Sequence, residues 1–155
     1  MAQCVRAADM IFNCRDFYDQ DASRREQTKA HIGSHHILMS HLVQFQYRQF
    51  FGYLRGAGAC VRRAEASRVP NIVFAAWCRA GEKRSVAMAV HLWHAISEVA
   101  GLQGELIHLC DAAWGRFTCA GTCLECRSPL RRDTRETEYV RKAIDAFRDG
   151  YTSRS

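Results

Sequence analysis

The run Cys78-Arg79-Ala80-Gly81-Glu82-Lys83-Arg84-Ser85 gathers the residue types that hold an oxyanion: a thiol, a turn glycine, a guanidinium and a hydroxyl. The apolar stretch Ile72 to Trp77 before it, bounded by Pro70-Asn71, reads as a buried strand. Val86 to Ile96 after it repeats apolar residues at helical spacing. A strand, a turn and a helix start aim unpaired backbone N–H groups at one point, and the helix dipole adds positive potential there. Arg84 offers a planar, two-pronged donor to the same point. The expected ligand is a phosphorylated small molecule or inorganic phosphate, held by the amides of residues 79–85 and by Arg84. Ser85 would cap the helix and hydrogen-bond the ligand or Cys78. The bland alternative is an ordinary strand-to-helix turn with Arg84 paired to Glu82.

The same letters allow chemistry. Amides, a helix start and an arginine all favour the Cys78 thiolate. With Arg84 it would then make a cysteine-dependent phosphatase of the tyrosine or dual-specificity type. Such an enzyme also needs a general acid for the leaving oxygen. Residues 56–71 offer only Glu65, while Asp16, Asp19 and Asp21 would have to approach through the fold. Trp77 stands where phosphatases of this kind carry a histidine. Binding without catalysis is therefore the favoured expectation, with the phosphatase as its alternative.

A second constellation is Cys119-x3-Cys123-x2-Cys126, with Cys110 and His108 shortly upstream. Three thiols within eight residues on a glycine-containing loop can wrap a tetrahedral ion, and thiolates suit zinc. Cys110 is the first choice for the fourth ligand of a structural zinc, then His108. Free thiols on an exposed loop and a redox pair are the competing readings. His31, His35, His36 and His41, and the pair His91 and His94, read as polar surface or half-buried packing. Positions 31, 35 and 36 share a face that could also take a metal. Cys4, Cys14 and Cys60 stand apart as small hydrophobes or surface thiols.

The pattern Cys-x2-Gly-x2-Arg-Ser resembles the loop of the RapZ C-terminal domain family, Gly-Cys-Thr-Gly-Gly-x-His-Arg-Ser-Val. Phe12-Asn13-Cys14-Arg15-Asp16-Phe17 looks like that family's opening strand with its Asp-x-Arg-Phe segment. Ile32-Gly33 falls at the family's glycine turn, and Ile107-His108-Leu109 at the strand carrying its His-Arg-Asp, with Asp111 one residue late. The likeness spans roughly residues 10 to 112. Trp77, Ala80, Lys83 and Cys110 depart from the pattern. The resemblance implies an aminosugar phosphate such as glucosamine 6-phosphate as ligand, with Arg15 and Asp16 contacting it and His108 and Asp111 lining the far wall. It also implies a sensor or adaptor role, RNA as a further partner and self-association into a homo-oligomer. Trp77, Trp93, Trp114 and Phe117, with nearby arginines, have the chemistry to stack RNA bases, although core packing is their commoner use. The family's kinase-like half has no counterpart here. No Gly-x4-Gly-Lys-Ser/Thr occurs, so no nucleotide cofactor is expected.

These residues need a frame. At 155 residues the chain suits a single domain over 1–155, with a core over about 10–128 and a C-terminal helix over about 134–148. Strands over 10–14, 72–77 and 105–109 alternate with helices over about 34–54 and 85–99, the latter ended by Gly101. A polar loop is expected over 15–31, and a short basic helix over 60–67 after a stop at Gly56-Ala57-Gly58. The order β-α-β-α-β predicts an α/β three-layer sandwich around a mainly parallel sheet. Its strand ends would bring residues 14–16, 78–85 and 108–111 to one site. Thr134 would cap the last helix and Gly150 would stop it. It would pack on the sheet or on a partner subunit.

The net charge of +6 is nearly all arginine, since the lysines are Lys29, Lys83 and Lys142. That bias suits bidentate phosphate recognition, or merely reflects a solvated surface. No apolar run approaches a membrane span, and the N-terminus lacks the apolar core of a signal peptide. A cytoplasmic protein without disulfides, and without a membrane partner, is the expectation.

Overall fold

Two short parallel strands carry the positions that matter, and the helices exist to bury and brace them. The computed structural model describes residues 7–18, 22–116, 118–127 and 134–153. Strand β1 (Met10–Asn13) pairs in parallel with β2 (Phe74–Trp77), Met10 opposite Phe74 and Asn13 opposite Trp77. Helices α1 (Ala22–Thr28), α2 (His36–Phe45) and α3 (Tyr47–Ala66) connect them. After β2 come α4 (Arg84–Ala95), a π-helical turn (Ile96–Ala100), the single turn α5 (Leu124–Arg127) and α6 (Thr134–Thr152). The chain is thus mixed and largely helical with a small parallel sheet. Among the described residues no helix is long and apolar enough to cross a membrane.

The third strand did not form. Residues 101–108 follow no regular structure, and Ile107 and Leu109 are 62% and 91% exposed. A strand needs a partner ladder as well as apolar letters, and these side chains face water instead. A three-layer sandwich requires a wider sheet than the two strands present among the described residues.

The helical connection differs from expectation at three places. The polar stretch after β1 holds α1, whose C-terminal carbonyls are capped by Lys83: its Nζ donates to the oxygens of Thr28 (2.7 Å) and Lys29 (3.4 Å). The helix expected over 34–54 is two helices meeting at Gln46, whose buried side-chain amide donates to the Tyr18 carbonyl (3.4 Å). Lastly, α3 runs straight through Gly56-Ala57-Gly58 to Ala66. Those small residues admit α6: a Cβ on Gly58 would lie 2.2 Å from the Phe147 carbonyl oxygen, and one on Gly150 would lie 1.9 Å from that of Arg55. Gly150 is therefore a packing residue inside α6 and does not stop it. The Thr134 side chain lies outside the described residues.

The core gathers Phe12, Phe17, Leu42, Phe50, Leu54, Met88 and Phe147 between the sheet and helices α2, α3, α4 and α6. Helix α4 packs on β2 and runs into the π-helical turn, which ends where a stop is expected, with Gly101 at φ 65° supplying the left-handed cap. α6 packs on α3, α4 and α2 of its own chain.

Candidate functional site

The Cys78–Ser85 loop lies between β2 and α4, and its backbone orientation is fixed from outside. The Gly81 carbonyl accepts from Trp114 Nε1 (3.1 Å), that of Glu82 from the Gly33 N–H (2.8 Å) and that of Lys83 from the Ala87 N–H (2.8 Å). Two successive carbonyls are thus tied outward, that of Lys83 opens helix α4, and the N–H groups of this stretch turn inward. Gly81 makes this possible at φ 69°, a left-handed conformation that a side chain would strain.

What the amides face is the Cys78 sulfur. Burial works against the thiolate, but the Ser85 hydroxyl (Sγ to Oγ 3.1 Å) and the backbone N–H groups of Ser85, Gly81 and Lys83 outweigh it. The thiol is held below its ordinary pKa. The loop therefore stabilises negative charge at its centre, the property that the turn-and-helix-start pattern predicts.

A cavity of about 600 Å³ opens beside the loop, walled by Cys78, Arg79, Ala80, Glu82, Lys83 and Arg84 from the loop itself. The facing wall includes Tyr18, Arg25, Lys29 and His41, so cations outnumber the single carboxylate, Glu82, among its described lining residues. Arg84 does not pair with Glu82: its Nη1 donates to the carbonyls of Phe17 (2.5 Å) and Arg15 (3.2 Å), which clasps the end of β1 to the loop.

Other predicted ligand contacts are placed elsewhere. Arg15 lays its guanidinium over the Trp77 ring at 5.4 Å, and Asp16 accepts from Asn13 Nδ2 (3.0 Å). Neither lines the cavity. His108 and Asp111 border a separate cavity of about 520 Å³ that Trp114 also lines. His108 rests 4.8 Å from the Trp114 ring, and burial holds its imidazole below the ordinary pKa, with Asp111 opposing. Trp114 is core, Trp93 donates Nε1 to the Gly104 carbonyl (2.8 Å), and Phe117 lies outside the described residues, as do Asp19, Asp21 and Cys4.

The cysteine loop forms a second centre. His31 Nδ1 lies 3.4 Å from Cys123 Sγ, 3.7 Å from Cys126 Sγ and 4.0 Å from Cys119 Sγ, while Cys119 and Cys126 are 3.5 Å apart. Bond lengths of 2.3 Å to sulfur and 2.0–2.1 Å to nitrogen give a zinc tetrahedron edges of roughly 3.5–3.8 Å. The observed separations fall close to those edges, so the four side chains can hold a metal ion such as zinc.

Cys110, expected as the fourth ligand, is instead exposed and packs on the Cys78–Ser85 loop: a Cβ on Gly81 would meet its Sγ at 2.9 Å. His31 takes that place because the 30–35 and 119–126 segments are stitched together. Cys119 N–H donates to the Ala30 carbonyl (2.8 Å) and Ser34 Oγ to that of Cys126 (2.9 Å). The knuckle itself turns through left-handed Ala120 and Gly121.

Outer contacts suit metal ligation. His31 Nε2 faces Glu125 Oε2 at 3.7 Å, and His35 Nε2 approaches the same oxygen at 3.2 Å. A carboxylate behind a histidine fixes its tautomer and leaves Nδ1 free to ligate. Burial, together with His36, pushes His35 down to about 4, so it donates to Glu125 as a neutral ring. Burial opposes the Cys119 thiolate, yet the N–H groups of Cys123 and Gly121 and the neighbouring thiols hold that cysteine low. Burial raises Cys126 against the Ile32 N–H, and the shared proton with Cys119 adds to it.

Compared with protein-family profiles, curated proteins and solved structures, the chain matches none.

Proposed function

We propose that this chain is a zinc-braced domain that binds a phosphorylated small molecule at the Cys78–Ser85 loop and performs no chemistry on it. One observation carries the reading. The loop carbonyls are tied outward while its N–H groups converge beside a cavity rich in cations. Backbone donors that already stabilise negative charge at the Cys78 sulfur also favour an oxyanion beside it, as strand-loop-helix anion sites do. The likeness of the loop to the RapZ C-terminal domain makes aminosugar phosphates the first ligands to try. A zinc held by His31, Cys119, Cys123 and Cys126 would keep the 30–35 segment, and with it Gly33, in place under the loop. It supplies rigidity there, as closed four-ligand sites do.

Two measurements test this. Metal analysis should find one zinc per chain, lost in His31→Ala and Cys123→Ser; a wild-type value near zero removes the metal. A thermal-shift screen of orthophosphate, glucosamine 6-phosphate and nucleoside monophosphates should raise the melting temperature, less so for Arg84→Lys. If no oxyanion at millimolar concentration moves it, the binding reading is lost.

A cysteine phosphatase is the second reading, favoured by the Ser85 hydroxyl 3.1 Å from the Cys78 sulfur and by the stabilised thiolate. Against it, Arg84 Nη1 is engaged by main-chain carbonyls, and Glu82 is the one carboxylate lining the cavity among the described residues. Turnover of para-nitrophenyl phosphate that disappears in Cys78→Ser would establish it. Tight phosphate binding with no turnover would reject it.

A further inference from the structure

We propose that Cys14 and Cys78 form a reversible disulfide under hydroperoxides, which makes the loop thiol a redox modification site with its own resolving cysteine. Neither a bound anion nor a bound metal is required. Strand register brings the two residues together. Asn13 stands opposite Trp77 as the last pair of the parallel ladder, and Cys14 and Cys78 are the residues that directly follow them, Cys14 opening a 3-10 turn. Parallel neighbours are about 4.8 Å apart, and an S–S bond spans Cα separations of roughly 4.4–6.8 Å.

The Cys14 side chain lies against the end of β2. Its sulfur receives the backbone N–H of Trp77, the residue just before Cys78, and its thiol points at the Phe12 carbonyl (3.7 Å). The 3-10 turn that carries it, Cys14–Asp16, packs on the end of β2. The two sulfurs also feel each other. Burial and then the nearness of Cys78 push Cys14 up to about 12, whereas hydrogen bonds hold Cys78 low. One thiol is thus the reactive member and the other is a buried neutral partner, completely shielded from solvent.

The chemistry balances with a hydroperoxide as the oxidant. The Cys78 thiolate attacks a peroxide oxygen, the O–O bond breaks, and hydroxide or alkoxide leaves with the electron pair. Cys78 is now a sulfenic acid, oxidised by two electrons. The Cys14 sulfur attacks that sulfur, the S–S bond forms, and the departing hydroxide takes the Cys14 proton as water. A dithiol reductant reverses it. Closure removes the charge on which the loop amides converge, so the modification also changes the electrostatics of the cavity wall.

Trypsin makes the test clean, because Cys14, Cys78 and Cys110 fall in separate peptides (7–15, 69–79 and 85–116) and the cluster cysteines share a fourth (117–127). The zinc-supplemented chain is treated with a small excess of hydrogen peroxide, alkylated and mapped without reduction. The expected result is a linked 7–15/69–79 pair with loss of Cys78 alkylation, both reversed by dithiothreitol. In Cys14→Ala the link is absent and Cys78 proceeds to sulfinic acid. Wild-type Cys78 found as sulfinic acid, or joined to the Cys110 peptide, overturns the proposal. The wild-type map is decisive by itself, so the test survives a Cys14→Ala variant that fails to fold.

Discussion

The Ser85 hydroxyl is the smallest part of the site and the easiest to remove cleanly. It donates toward the Cys78 sulfur at 3.1 Å, and a hydrogen bond to a charged acceptor is worth roughly 1.5–3 kcal/mol. Ser85→Ala should raise the Cys78 pKa and slow iodoacetamide alkylation of Cys78 at pH 7 by roughly tenfold or more on that basis. An unchanged rate would mean that the amides alone hold the thiolate. The contact of Ser85 with Cys78 was legible in the sequence, because a hydroxyl directly after the arginine sits at the helix start, but the expected cap is absent: Lys83 takes the cap position and no side chain caps the helix. His31 was not legible. Its three thiol partners lie about ninety residues away in the chain, and spacing arguments see only local ligands. Cys110 looked closer in sequence, yet it is held over Gly81 by its own loop.

Helix α3 shows why element boundaries were harder to read than elements. The buried positions Met39, Leu42, Val43, Gln46, Phe50, Leu54, Ala57, Gly58 and Val61 form one continuous stripe across α2 and α3. Periodicity therefore cannot register the break at Gln46. Glycine letters misled in the opposite direction, since Gly58 serves a helix crossing and not a stop. A Cβ there would press on the Phe147 carbonyl at 2.2 Å, so Gly58→Ala should cost at least about 2–3 kcal/mol in urea unfolding. Gly52 has nothing within 4 Å of its would-be Cβ, and Gly52→Ala should stabilise by about 0.5–1 kcal/mol. Equal effects of the two would refute the crossing argument. A further prediction belongs to the 28–35 segment. It carries His31 to the metal centre, Gly33 to the Glu82 carbonyl, and the Thr28 and Lys29 carbonyls to Lys83. On the proposed reading, metal and anion are linked through one short stretch of backbone. Removing the metal with a chelator should weaken orthophosphate binding by roughly 5- to 20-fold, and phosphate should tighten zinc by the same factor. Independent affinities would show that the brace is rigid without its ion.

At the scale of the whole molecule the pattern of α/β alternation predicted the parallel pair and the loop between β2 and α4, because those follow from local apolar runs and punctuation. The width of the sheet was not legible: 105–109 has strand letters, but whether a ladder forms is decided by what lies beside it. Nor could the sequence reveal that His91 is fully buried in α4, reading as it does like a surface or half-buried histidine one turn from His94. Its Nε2 lies 3.0 Å from the Met39 carbonyl, which can only accept, so that nitrogen carries the proton. Nδ1 is buried with no hydrogen-bond partner, and Phe50 covers the ring edge at 5.0 Å. A second proton would therefore be placed in the core uncompensated, and burial pushes His91 down to about 4 against the opposing Met39 hydrogen bond. Above the ordinary value of 6.5 both folded and unfolded chains are neutral at this residue, and its full stability is present. As pH falls from 6.5 toward 4 the unfolded chain takes a proton that the folded chain refuses, so stability is lost across that window. At pH 4.5 the loss amounts to roughly 2–3 kcal/mol, from 1.36 kcal/mol for each pH unit. Acid also protonates Cys119, whose thiol is held low, so the informative quantity is the difference between wild type and His91→Leu. Urea unfolding at pH 7 and pH 4.5 should show the variant losing less stability by about that amount. Parallel losses in both proteins would mean that the histidine is reached by water before the fold opens.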